Sequence, residues 1–119
     1  MRLVLDSPVL IAASISRAGV CAQLLEDVLI HHELIMSDFV LEKISGELLD
    51  KFQFPKAESA ELCRFLRGAA TFVEPAEIDP SACRDSKNVA VLGTAIAGMV
   101  DLLISVDKDL LMQIGRAHV

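Results

Sequence analysis

Arg2-Leu3-Val4-Leu5-Asp6-Ser7-Pro8-Val9-Leu10 is the stretch on which the fold turns. Leu3-Val4-Leu5 is apolar without alternation, as in a strand buried on both faces, and it stops at an acid. Asp6 or Ser7 can cap the orphan amides of a helix, and Pro is tolerated in a first turn. The reading is a strand that ends at Asp6 and a helix over Val9 to Ser16, broken by Gly19.

The same order of signals recurs along the chain. Leu34-Ile35-Met36 runs into Ser37-Asp38, after which Val40, Leu41, Ile44, Leu48 and Leu49 restore helical period up to Phe52. Thr71-Phe72-Val73 is strand-like before Pro75, and Leu102-Leu103-Ile104 is the last strand before Asp107-Lys108-Asp109. Helical stripes fill the intervals. Val20, Leu24, Leu25, Val28 and Leu29 mark a helix over Val20 to His31, and Leu62, Phe65 and Leu66 mark one over Glu58 to Arg67. A third runs from Val89 to Gly98, with Gly98 as its terminator. Pro75 to Arg84 is the longest loop. Strands that alternate with helices predict an α/β fold, a three-layer α/β/α arrangement with a central parallel sheet.

The 119 residues, 53% of them hydrophobic, suffice for one packed core and not for two ordinary domains. Five Phe and no Trp or Tyr exclude a broad surface that stacks on exposed bases. A net charge of −6 excludes nucleic-acid binding through a wide basic face, so phosphate chemistry here needs a cation as intermediary. A solvated acidic surface explains the charge equally well. Cys21, Cys63 and Cys83 are scattered and form no zinc pattern, which suits free thiols in a reducing cytosol. No signal peptide opens the chain, and charges interrupt every apolar run before the roughly 20 residues of a membrane helix. The expectation is a soluble cytoplasmic protein.

Ligands of open parallel sheets bind at the carboxyl ends of strands, near the point where strand order reverses. Asp6 ends the first strand, and Asp107 and Asp109 follow the last. If those strands are neighbours, the carboxylates converge on one edge, where Mg²⁺ or Mn²⁺ finds the oxygen ligands that hard cations prefer. Each residue also has an ordinary reading: Asp6 as a helix cap, Asp107 and Asp109 as a turn, Glu42 as a solvent-facing helix residue. His31-His32 suits the negative end of a helix, since spacing supplies no third metal ligand. Arg84, at the loop border, is a candidate phosphate contact or a surface ion pair, and Lys108 pairs with its flanking aspartates.

On these residues the chain resembles the PIN-domain family. Its opening is similar to a hydrophobic strand that runs into Asp, a small hydroxyl residue, Asn and a Val-Leu pair. Ser37 to Pro55, with Glu42, resembles that family's second acidic segment. Cys83-Arg84-Asp85 with Val91-Leu92-Gly93-Thr94-Ala95 resembles the third, and Ile104-Ser105-Val106-Asp107-Lys108-Asp109-Leu110 the fourth. The nearest subgroup comprises the toxins of bacterial toxin–antitoxin pairs, VapC-like ribonucleases. The resemblance implies an Mg²⁺- or Mn²⁺-dependent endoribonuclease, often a homodimer, acting on RNA and silenced by a cognate antitoxin protein. By position, Asp6, Glu42 and Asp107 match its metal-coordinating catalytic carboxylates, with Asp109 an auxiliary ligand. Ser7 matches the hydroxyl residue that orders the first carboxylate or a water on the metal.

The pattern also departs from the family. Gapless alignment places Asn88 at the third acidic ligand and Val89 where Asn is common, and Pro8 replaces the Asn of the opening motif. Asn offers a metal a neutral carbonyl and cannot act as a base, so cation affinity is expected to fall. Asp85, one turn earlier, substitutes only if the helix start shifts. The expected domain spans residues 1–113, with the family's last strand and closing helix missing. Ile114 to Val119 reads as translated adapter DNA and is expected to be a non-native tail, so His118 is no ligand. Three functions follow: a metal-dependent RNA endonuclease; a degenerate PIN-like module, crippled at Asn88, that binds an antitoxin or RNA; and a receiver-type phosphoacceptor, in which Glu42 has no role.

Overall fold

The computed structural model describes residues 1–79 and 87–105, the side chains of Lys87 and Asn88 excepted. Strand β1 (Arg2–Leu5) lies inside a parallel sheet whose order is β3-β2-β1-β4, with β2 at Glu33–Met36, β3 at Thr71–Phe72 and β4 at Leu102–Ile104. Leu3 pairs with Leu34 on one side and with Leu102 on the other, and Leu5 pairs with Ile104. Ile35 and Met36 pair with Thr71 and Phe72. Leu3, Val4 and Leu5 are at most 2% exposed, which is why the strand is apolar at every position and does not alternate.

Five helices connect and flank the described strands: α1 (Ser7–Ile15), α2 (Val20–His31), α3 (Asp38–Asp50), α4 (Lys56–Ala69) and α5 (Lys87–Ala97). The fold is therefore α/β with a four-stranded parallel sheet, as the alternation predicts. Helix α1 starts two residues before the expected Val9. The Asp6 side chain accepts from the Ser7 amide and Pro8 sits in the first turn, where it blocks no helical bond. Ser37 caps α3, which sends Val40, Leu41, Ile44 and Leu48 into the core shared with β1 and β2.

Gly98 differs from expectation in its role. Helix α5 ends at Ala97, and the left-handed residue beyond it is Met99, with φ of 51°, not Gly98. Gly98 is needed for space: a Cβ there lies 2.5 Å from Ile35 Cγ2. Cys21 and Cys63 are free thiols, partly buried against the core. No single described helix is long and apolar enough to cross a membrane. Residues 80–84 of the expected Pro75 to Arg84 loop, Cys83 among them, and residues 106–119, with the expected tail, lie outside the described residues.

Candidate functional site

The chain leaves β1 toward β2 and β3 on one side and returns to β4 on the other, so strand order reverses between β1 and β4. Asp6 stands at that switch point, the usual ligand crevice of a parallel sheet. Its amide donates to the Ile104 carbonyl at 3.0 Å, which extends the β1–β4 pairing to the carboxylate. Oδ1 accepts from the Ser7 amide and Oδ2 from the Ser105 hydroxyl, each at 2.7 Å. One side chain thus caps α1 and bonds to the residue that follows β4.

Asp6 is 1% exposed and makes no ion pair among the described residues. Burial of a carboxylate away from any cation is costly, and two hydrogen bonds leave each oxygen with a further acceptor site. Next to it in the chain, the Ser7 hydroxyl is fully buried and has no hydrogen-bond partner among the described residues. A buried acid without a counter-charge and an orphaned hydroxyl are the donor chemistry of a hydrated divalent cation, and on these two residues the fit is good.

A second polar group lies at the end of β2. Ser37 and Thr94 are both fully buried, with their hydroxyl oxygens 2.8 Å apart. Thr94 donates its proton to the Ala90 carbonyl at 2.7 Å, so Ser37 must donate to Thr94 and accept from the Val40 amide at 3.4 Å. The chain of bonds ties the start of α3 to α5.

Glu42 is the fifth residue of α3. It is exposed on α3 and has no hydrogen bond or ion pair among the described residues. It lines a shallow pocket of about 260 Å³ with Lys43, Gly46, Glu47, Asp50 and Lys51 of its own helix and its cap, and Asp6 is not among the lining residues. Among the described residues no three His, Cys, Asp or Glu side chains are grouped closely enough to hold a metal ion. Asp85, Asp107, Asp109 and the side chain of Asn88 lie outside the described residues.

His31 and His32 reach opposite oxygens of Asp27, each at 3.9 Å, at the end of α2, the charge arrangement expected of a helix C-terminus. Sequence reasoning passed over Ser105 and Thr94. The signal for Ser105 is its place one residue past β4, where a hydroxyl faces the end of the neighbouring strand. Thr94 reads as one more small residue of a helical run. The chain matches no protein-family model and no curated protein sequence.

Proposed function

We propose that the chain is a PIN-type α/β/α domain that hydrolyses RNA phosphodiesters with Mg²⁺ or Mn²⁺ held at the carboxyl edge of its sheet. The observation that carries the reading is the buried Asp6 carboxylate at the switch point, bonded to Ser105 and unpaired with any basic side chain among the described residues. The strand order supports it, because β4 beside β1 delivers the segment that leads into Asp107 and Asp109 to the same edge. The net charge of −6 supports it as well, since phosphate approaches an acidic protein poorly without a cation between them.

Asp6, Glu42, Asp107 and Asp109 would hold the ion, with the Asn88 carbonyl as a neutral ligand and Ser7 and Asp85 as auxiliaries. When bound, the cation supplies Lewis-acid polarisation of the phosphoryl group and offsets its charge. Asp6 is held in one orientation by the Ser7 amide and the Ser105 hydroxyl, so its free acceptor positions need no reorganisation on binding. The protein side of the proposal is a cytoplasmic toxin, often dimeric, with a cognate antitoxin protein as its partner.

A second reading, a degenerate PIN-like module that binds an antitoxin or RNA, is favoured by Asn88 and by Glu42, which is exposed and makes no ion pair among the described residues. One experiment separates the two. Calorimetric titration with Mg²⁺ and Mn²⁺ of the parent, Asp6→Ala and Asp107→Asn is paired with RNA cleavage in the metal and in EDTA. The nuclease reading expects saturable binding and cleavage, both lost in the variants, and cleavage lost in EDTA. Cleavage that survives EDTA and Asp6→Ala rejects it. Cleavage absent from the parent but restored by Asn88→Asp establishes the degenerate module.

A further inference from the structure

Over the carboxyl ends of β2 and β3 lies a second concavity that the carboxylate site does not use, a pocket of about 450 Å³. Phe39, three residues past the end of β2 and α3's second residue, lines it and is 60% exposed. Opposite are Glu74, Pro75, Glu77 and Ile78 from the segment after β3, with Val89 of α5. An exposed Phe by itself needs no explanation. This one faces a wall that is fixed in place. The Val73 amide donates to the Met36 carbonyl and the Ala76 amide to the Gly93 carbonyl, both at 2.9 Å. Gly93 permits that approach, since a Cβ there lies 2.6 Å from the Ala76 oxygen. The pocket is preformed, with an aromatic plate on one side and two carboxylates on its rim.

We propose that this pocket receives one nucleobase of the RNA, guanine by preference, stacked on Phe39 with its N–H edge on the Glu74 and Glu77 carboxylates. The inference rests on the RNA reading above and names the base that its site selects. A carboxylate only accepts hydrogen bonds, so it repels phosphate and selects the base edge richest in adjacent donors. Guanine presents N1–H and N2–H side by side to the two oxygens of one carboxylate. Adenine, cytosine and uracil do not present that pair. Neighbouring strands are about 4.8 Å apart, so the pocket sits some one to two strand spacings from the end of β1, the reach of a single nucleotide from phosphate to base. A lone Phe in a pocket is also compatible with a composition that excludes a broad stacking surface.

The test is nucleoside titration of the whole chain in EDTA, followed by amide NMR, with guanosine, adenosine, cytidine and uridine as probes. Guanosine is expected to shift the signals of Phe39, Ala76 and Ile78 and to bind more tightly than the other three. Phe39→Leu, which keeps the apolar bulk, weakens binding by about tenfold, and Phe39→Tyr restores it. Glu74→Gln with Glu77→Gln removes the preference for guanosine. No shift with any nucleoside, unchanged affinity in Phe39→Leu, or equal affinity for all four bases overturns the assignment. Because no metal is present, an inert Asp6 site leaves this outcome untouched, and metal-dependent cleavage without nucleoside binding removes the pocket alone.

Discussion

Ser7→Ala sets stability against function at a single oxygen atom. The Ser7 hydroxyl is fully buried without a partner among the described residues, and an unmade hydrogen bond of this kind costs about 1–3 kcal/mol. Deletion of the oxygen leaves a gap smaller than a methyl group, which returns about 0.5 kcal/mol of that as lost packing. Alanine also favours the helix by a few tenths of a kcal/mol. The Ser7 amide still donates to Asp6 Oδ1, so the cap survives the substitution. The metal-free variant is therefore expected to be about 1 kcal/mol more stable than the parent, seen in urea unfolding followed by circular dichroism and as a rise in Tm of about 4 °C. Addition of Mg²⁺ reverses the ranking: a tenfold loss of affinity removes about 1.4 kcal/mol of ligand stabilisation at saturating metal. A metal-free Ser7→Ala protein that is less stable than the parent refutes the reasoning, because the hydroxyl then has a partner.

Substitutions at three further positions test the site and the packing of the fold. Ser105→Ala strips Asp6 Oδ2 of its hydroxyl donor and is expected to cost about 1.5–3 kcal/mol in denaturant unfolding, with Ser105→Thr close to the parent. Gly98→Ala drives a methyl group to 2.5 Å from Ile35 Cγ2 and is expected to cost about 1–3 kcal/mol, whereas Gly46→Ala meets nothing within 4 Å in mid-helix and gains about 0.5–1 kcal/mol. Thermal unfolding of the two glycine variants side by side checks both signs.

The sheet was legible because its strands are buried on both faces. Leu3-Val4-Leu5 and Leu34-Ile35-Met36 are apolar at every position and are bounded by capping residues, and both appear as strands with helices after them. Asp6 was legible for the same reason, since an acid that ends such a run stands at a sheet edge. The starts of α1 and α3 were displaced by two residues because Pro8 and Asp38 join their helices as first-turn residues with no apolar periodicity to announce them. The role of Gly98 was not legible. Its need for space arises from Ile35, a contact 63 residues away that no local pattern encodes. Glu42 illustrates the limit of motif position, which puts an acid on a helix but does not fix which neighbours its carboxylate meets.

The Ser37–Thr94 pair has a directional character with a consequence for how the molecule varies. Its protons run one way, from the Val40 amide through both hydroxyls to the Ala90 carbonyl, so each hydroxyl also has a backbone partner of its own. Loss of the Thr94 hydroxyl leaves the Ser37 proton without its acceptor, whereas loss of the Ser37 hydroxyl takes the acceptor from the Val40 amide and leaves Thr94 on the Ala90 carbonyl. Mutation at the two sites is thereby unequal in cost, with the larger share falling on Ser37, which serves the cap of α3 as well as the pair.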